Sequence, residues 1–232
     1  MLSLPPETIQ QNAETVRQRI ESACRRSGRS PEEIRTIPVT KTVDASAVRA
    51  LADLGFDTFG ENRVQPSEPK IAELSDLGLH WHFIGHLQSR KTARVMDLFE
   101  CVQSVDSIRL AERISRTADE KGAAFPVMIE VNVAGEKQKY GFTPEQLTRS
   151  AEALQEFDGL DIRGLMTMAP FTDDDVVLRK TFSGLRDLRD ELSGLFVGAG
   201  TGELSMGMTN DFEYAIEEGA TLLRIGSAFF RE

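Results

Sequence analysis

The sequence predicts a (β/α)8 barrel carrying an extra helix at its N-terminus. Three observations predict it. Apolar strand-like runs alternate with helix-like segments eight times along 232 residues, and parallel strands need such crossovers. That length suits one barrel domain spanning 1–232, with no linker or shift in composition to divide it. Polar residues collect at the C-terminal ends of the strand runs, where a barrel gathers its βα loops. A doubly wound open sheet shares the alternation, but no Gly-x-Gly-x-x-Gly turn follows the first strand.

The elements follow in order. Ile9, Ala13, Val16, Ile20 and Ala23 mark one face of a helix from about Pro5 to about Arg26, closed by Ser27-Gly28. Ile34 to Lys41 is the first strand run. Asp44 caps a helix bearing Ala47, Val48, Leu51 and Leu54, and Gly55 ends it. Phe56 to Gly60 is the second strand. Pro66 and Pro69 confine the following helix to a body from Lys70 to Leu77. His80 to Gly85 is the third strand, with a basic helix from about Ser89. Glu100 to Val105 is the fourth, after which Asp106 caps a helix ending at Gly122. Phe125 to Val133 is the fifth, and Thr143-Pro144-Glu145-Gln146 forms a capping box after it. Leu160 to Met168 is the sixth, before a long amphipathic helix from about Asp174 to Leu192. Glu203 to Met208 and Leu222 to Gly226 are the seventh and eighth, separated by a short helix from about Asn210 to Glu218.

Composition narrows the function. The net charge of −10 argues against broad binding to nucleic acid or anionic membranes. No apolar run approaches the ~20 residues of a membrane span. The first residues, Met1-Leu2-Ser3-Leu4-Pro5-Pro6, lack the design of a signal peptide. Two cysteines, Cys24 and Cys101, make neither a disulfide framework nor a metal spacing, so a cytoplasmic protein without metal is expected.

Lys41 stands out. A lysine at the mouth of a buried strand is costly unless it has a partner or a chemical task. Two segments are suited to an anion. Ser205-Met206-Gly207-Met208-Thr209-Asn210 leads from the seventh strand into a helix, and Arg224-Ile225-Gly226-Ser227 ends the eighth. Glycine lets backbone N–H groups approach a phosphate, and barrels bind phosphate at these two loops. Ordinary turn chemistry explains either segment alone; their position on the last two strands favours the anion. A nucleophilic lysine with a phosphate cradle suits a phosphorylated aldehyde. Pyridoxal 5′-phosphate fits, as do the substrates of phosphorylated-sugar aldolases.

Five motifs resolve this choice by resemblance: Val39-Thr40-Lys41-Thr42; Phe59-Gly60-Glu61-Asn62-Arg63-Val64-Gln65; Trp81-His82-Phe83-Ile84-Gly85-His86-Leu87-Gln88; Leu204-Ser205-Met206-Gly207-Met208; and Arg224-Ile225-Gly226-Ser227. In this order, over nearly the whole chain, they resemble the pyridoxal phosphate homeostasis (YggS/PROSC) family, whose barrel is similar to the N-terminal domain of alanine racemase. The resemblance implies a monomer that holds pyridoxal 5′-phosphate through Lys41 as a Schiff base and serves vitamin B6 homeostasis. It implies Ser205 and the backbone of Gly226 and Ser227 at the phosphate, Asn62 beside the cofactor, and Arg224 facing the pyridine nitrogen. Met168, Met206 and Met208 would pack nearby. Lys139 matches a second notable lysine of the family, although a solvated loop lysine is the plainer reading. Apo-enzymes receiving the cofactor are the implied partners.

Alanine racemase also needs a tyrosine base contributed by a partner subunit's C-terminal domain. Only Tyr140 and Tyr214 occur here, and Tyr214 reads as structural. A carrier without catalysis is therefore expected, with a weak racemase as the alternative. His82 and His86 read as packing and hydrogen-bonding residues, and Arg90, Lys91 and Arg94 as a solvated helix face. The family usually ends its last strand region with roughly Phe-Gly-Ala-Arg, where this chain has Phe229-Phe230-Arg231-Glu232.

Overall fold

A computed structural model describes residues 4–196 and 202–231. Residues 1–3, where the expectation about a signal peptide falls in part, and residue 232 lie outside the described residues. Eight parallel strands form one sheet in the order β1-β8-β7-β6-β5-β4-β3-β2. They are β1 (Arg35–Pro38), β2 (Thr58–Glu61), β3 (His80–Phe83), β4 (Cys101–Val105), β5 (Phe125–Glu130), β6 (Leu160–Met166), β7 (Glu203–Ser205) and β8 (Leu222–Ile225). A bridge between Val39 and Gly60 closes the barrel between β1 and β2.

Helices wrap the sheet: α1 (Pro6–Ser27), α2 (Ala45–Asp53), α3 (Val64–Glu73), α4 (Thr92–Leu98), α5 (Ile108–Lys121), α6 (Pro144–Gln155), α7 (Asp175–Glu191) and α8 (Phe212–Glu217). Among the described residues no helix follows β8. The N-terminal α1 packs between α8 and α2 and takes the eighth place in the ring. Its inward stripe of Ile9, Ala13, Val16, Ile20 and Ala23 is buried, and Gly28 ends it in the left-handed conformation at φ 68°. The chain's last residues lie against it, since the Asn12 amide donates to the carbonyls of Phe229 and Arg231 at 3.0 and 2.8 Å.

Two boundaries differ from expectation. The third helix begins at Val64, ahead of both prolines, and passes into a short 3-10 turn at Ser75–Leu77. Pro66 falls in the first turn, where a missing N–H costs nothing, so only Pro69 interrupts the ladder. Ser107, not Asp106, caps α5, accepting from the Leu110 N–H. Asp106 is turned to His86 instead.

The main apolar cluster lies between strands and helices, with Phe59, Phe182, Phe212 and Phe229 wholly buried. A second cluster of Ile37, Cys101, Met128, Met166 and Leu222, joined by Met168, fills the barrel interior. Burial raises the Cys101 thiol well above its ordinary range, leaving it an inert packing group.

Candidate functional site

The barrel's C-terminal mouth has three sectors. In the first, β1 runs out beside β2. The Thr40 N–H donates to the Gly60 carbonyl at 3.1 Å, and the chain turns outward at Lys41. Lys41 is exposed, and among the described residues its amine has no ion pair or hydrogen bond. The buried charge that the sequence assigned to Lys41 belongs to Lys70 on α3. Lys70 and Glu61 form an ion pair at 2.8 Å, with side chains 4% and 2% exposed. Asn62 follows Glu61, half-buried at the mouth. Its backbone lies so close to Gly85 that a β-carbon there would come 2.2 Å from the Asn62 carbonyl oxygen. This contact accounts for the glycine in Ile84-Gly85-His86.

The second sector crosses the interior. Arg224 of β8 is buried and donates through Nη1 to Ser205 Oγ at 2.6 Å and through Nη2 to the Thr167 carbonyl at 2.8 Å. The Ser205 hydroxyl donates to Gln103 Oε1 at 2.7 Å. Gln103 Nε2 lies 2.8 Å from His82 Nδ1. Donors and acceptors then run one way, from Arg224 through Ser205 and Gln103 to His82. Burial depresses the His82 pKa to about 4, so its ring is neutral and Nδ1 can accept. Burial also lowers the Arg224 pKa to about 10, against the pull of Glu130 and Asp211, and the guanidinium keeps its charge at neutral pH. The Ser205 proton is committed to Gln103. To donate to a phosphate, as the resemblance implies, the hydroxyl must turn away from it.

Beyond Arg224 the chain enters the loop of Gly226 and Ser227. The Val39 N–H donates to the Ile225 carbonyl at 2.8 Å, which sets this loop beside the strand leading to Lys41. Among the described residues, the N–H groups of Gly226 and Ser227 meet no acceptor. The next N–H, of Ala228, donates to Thr209 Oγ1 at 3.2 Å and ties the loop to the one after β7. In that loop Gly207 adopts φ 90°, and a β-carbon would sit 2.7 Å from the Ala215 side chain. Met206 is buried and Met208 half-buried there.

The third sector, after β3 to β6, is the one the sequence marks least. His86 Nδ1 lies 3.1 Å from Asp106 Oδ2, and the ring stacks on Tyr140 with centroids 3.8 Å apart. Lys139 is not a solvated loop lysine. It donates to the carbonyls of Met168 and Ala169 at 3.3 and 2.9 Å and pairs with Glu136, joining the loop after β5 to that after β6. Glu130, at the end of β5, is buried. Desolvation, reinforced by Asp106, raises its pKa to about 7 despite Arg224 and Lys139. Tyr214 lies on α8 with the Arg179 guanidinium 5.0 Å over its ring. Arg94 pairs with Glu68, and Arg90 donates to Gln88 at 3.2 Å.

Comparison with known proteins gives the class first. The family model described as alanine racemase, N-terminal domain, matches residues 7–232. An alanine racemase of Clostridium difficile superposes with a TM-score of 0.70 at 17% identity, over 97% of this chain and 57% of that one, a likeness of fold. Nearer relatives are more specific. Proteins named pyridoxal phosphate homeostasis protein from Aquifex aeolicus and Pseudomonas aeruginosa are each 41% identical. The match covers 94% and 96% of this chain and 95% of each relative. The structure of PipY from Synechococcus elongatus with PLP bound matches with a TM-score of 0.81 at 34% identity, over 93% of this chain and 100% of that one. The chain belongs to the pyridoxal phosphate homeostasis protein family.

Proposed function

We propose that this protein binds pyridoxal 5′-phosphate through Lys41 as a Schiff base and carries it in vitamin B6 homeostasis without catalysing a reaction of its own. The observation that carries the reading is the juxtaposition at the β1–β8 seam. Among the described residues, an exposed amine without a partner stands at the end of one strand, and N–H groups of Gly226 and Ser227 without an acceptor stand at the end of its neighbour. The residues fit the group. Backbone donors suit a phosphate, and an uncommitted amine suits an aldehyde. When bound, the cofactor supplies an electron sink for amino-acid chemistry.

The chain's residues then divide the work. Gly226 and Ser227 hold the phosphate, and Asn62 borders the ring from β2. Arg224 faces the pyridine nitrogen, where a fixed cation opposes protonation and weakens the sink. Ser205 holds Arg224 and borders the phosphate loop. The carrier reading draws support from the tyrosines. Tyr140 is stacked on His86, and Tyr214 sits on α8 beneath Arg179, so neither is offered as the second base of a racemase. An amine without a partner also suits a ligand that is released to apo-enzymes.

Adding pyridoxal 5′-phosphate should produce the visible absorption band of a Schiff base, and borohydride should fix the label on the Lys41 peptide. Lys41→Ala should show neither. A band that persists in Lys41→Ala would overturn the assignment. Steady conversion of L- to D-alanine by wild type, absent in Lys41→Ala, would overturn the carrier reading. Transfer of the bound cofactor to an apo-enzyme is the expected positive result.

A further inference from the structure

We infer that Lys70 is a positioning residue for Lys41: its buried ion pair with Glu61 fixes Thr40, the residue from which the reactive lysine projects. The inference rests on the proposed Schiff-base role of Lys41.

Thr40 is wholly buried and every polar atom on it is engaged. Its N–H donates to the Gly60 carbonyl at 3.1 Å. Its carbonyl accepts from Lys70 Nζ at 2.6 Å and from the Val43 N–H at 3.2 Å. Its hydroxyl donates to Glu61 Oε1 at 2.8 Å, the oxygen that Lys70 also contacts at 2.8 Å. Three elements, β1, β2 and α3, therefore meet on one residue. The next residue, Lys41, is exposed, and among the described residues its amine has no partner.

An ion pair is an expensive way to fill this space. Two charges lose their water, and apolar residues of similar volume often stabilise as well or better. A buried lysine whose other hydrogen bond goes to the carbonyl preceding a nucleophile offers something an apolar pair does not, a directional hold on the backbone. Lys41 Nζ must meet the aldehyde carbon within a narrow range of distance and angle. A carbon–nitrogen bond forms, and the carbonyl oxygen leaves as water. Displacing a reacting group by about 1 Å can slow such a step by on the order of 100-fold.

The test uses Lys70→Met/Glu61→Gln, which removes both charges and leaves no buried carboxylate unpaired. It is compared with wild type and Lys41→Ala by three measurements. These are the rate at which pyridoxal 5′-phosphate gives the visible band, the affinity for the aldehyde-free pyridoxine 5′-phosphate, and the melting temperature. The expected result is a band that forms on the order of 10- to 100-fold more slowly, with the affinity for pyridoxine 5′-phosphate unchanged. A rate equal to wild type overturns the inference and leaves the Lys41 reading standing. So does an affinity for the aldehyde-free ligand that falls by the same factor as the rate, since that marks a structural role alone. A band that survives in Lys41→Ala overturns both. Should the double variant fail to fold, Thr40→Val removes one hydrogen bond of the same anchor. Its rate and affinity are then compared in the same way, and the same two results overturn the inference.

Discussion

Lys41 and Lys70 meet at Thr40 from opposite sides, one as its neighbour in sequence and the other through its carbonyl. Lys41 lies in the open with nothing bound to its amine among the described residues, and Lys70 is 4% exposed with its amine between a carboxylate and a carbonyl. The chemistry of a lysine follows from this difference. An amine that must attack a carbonyl has to be reachable and free to lose its proton, whereas one that holds a structure must keep its proton and its partners. Residue type and strand position select only Lys41 as a candidate, and it is the partners in the fold that separate the two.

The largest expected effect breaks the buried side of this comparison. Lys70→Met alone leaves the Glu61 carboxylate buried without its counter-charge, and it should destabilise the fold by about 3–5 kcal/mol. Lys41→Ala removes an exposed amine and should move stability by no more than about 0.5 kcal/mol. Urea unfolding of the two variants measures both. Comparable losses would mean that the two lysines do not differ as their surroundings say.

A pH profile extends the contrast to the interior. The folded His82 has its pKa depressed by burial from 6.5 to about 4. Its contribution to stability is complete above pH 6.5 and is lost as pH falls through that window. Glu130 has its pKa raised by burial from 4.5 to about 7. Its contribution is complete below pH 4.5 and is lost as pH rises through 7. Each can change the unfolding free energy by up to about 1.4 kcal/mol per pH unit, in opposite directions. The two largely cancel near pH 5 to 6.5 in the wild type. Glu130→Gln should uncover the histidine, giving a fall of about 3 kcal/mol at most as pH drops from 6.5 to 4. Identical profiles for the two proteins would sink this assignment.

The line from Arg224 to His82 offers a smaller effect. Gln103→Leu strands the Ser205 proton and His82 Nδ1 together. A loss of about 1–3 kcal/mol is expected, read by thermal or urea unfolding. No loss would mean that the four groups find other partners.

The strands are legible because each is a short apolar run bounded by turn residues; seven lie within the predicted segments, and β2 runs one residue past its own, to Glu61. Lys41 is legible because it ends the first run. Lys70 is not. Its partners, Glu61 and Thr40, lie 9 and 30 residues away, and no local pattern joins a helix to the ends of two strands. Gln103 escapes for the same reason: it lies beside Ser104 in an otherwise apolar strand, and its partners sit on β3 and β7. The role of α1 as the eighth helix also needs closure of the barrel, because only then does the gap between α8 and α2 exist. The start of α3 is hidden because Pro66 and Pro69, three residues apart, read together as helix breakers, and only the fold shows that Pro66 falls harmlessly in the first turn.

The smallest effect sharpens the comparison at the other end of the Lys41 turn. Asp44 caps α2, its carboxylate accepting from the Ala47 N–H at 3.2 Å and from the Ser46 hydroxyl at 2.6 Å. Asp44→Ala should cost about 1 kcal/mol. The cap secures the first turn of α2 and through it Val43, which donates to the Thr40 carbonyl. Losing the cap therefore loosens the downstream end of the turn, while Lys70, Glu61 and Gly60 still hold Thr40. If the hold on Thr40 sets the direction of Lys41, Asp44→Ala should slow the visible band far less than Lys70→Met/Glu61→Gln does, although both flank the same residue. Equal slowing in the two variants would make the whole turn, not the buried pair, the element that aims the amine.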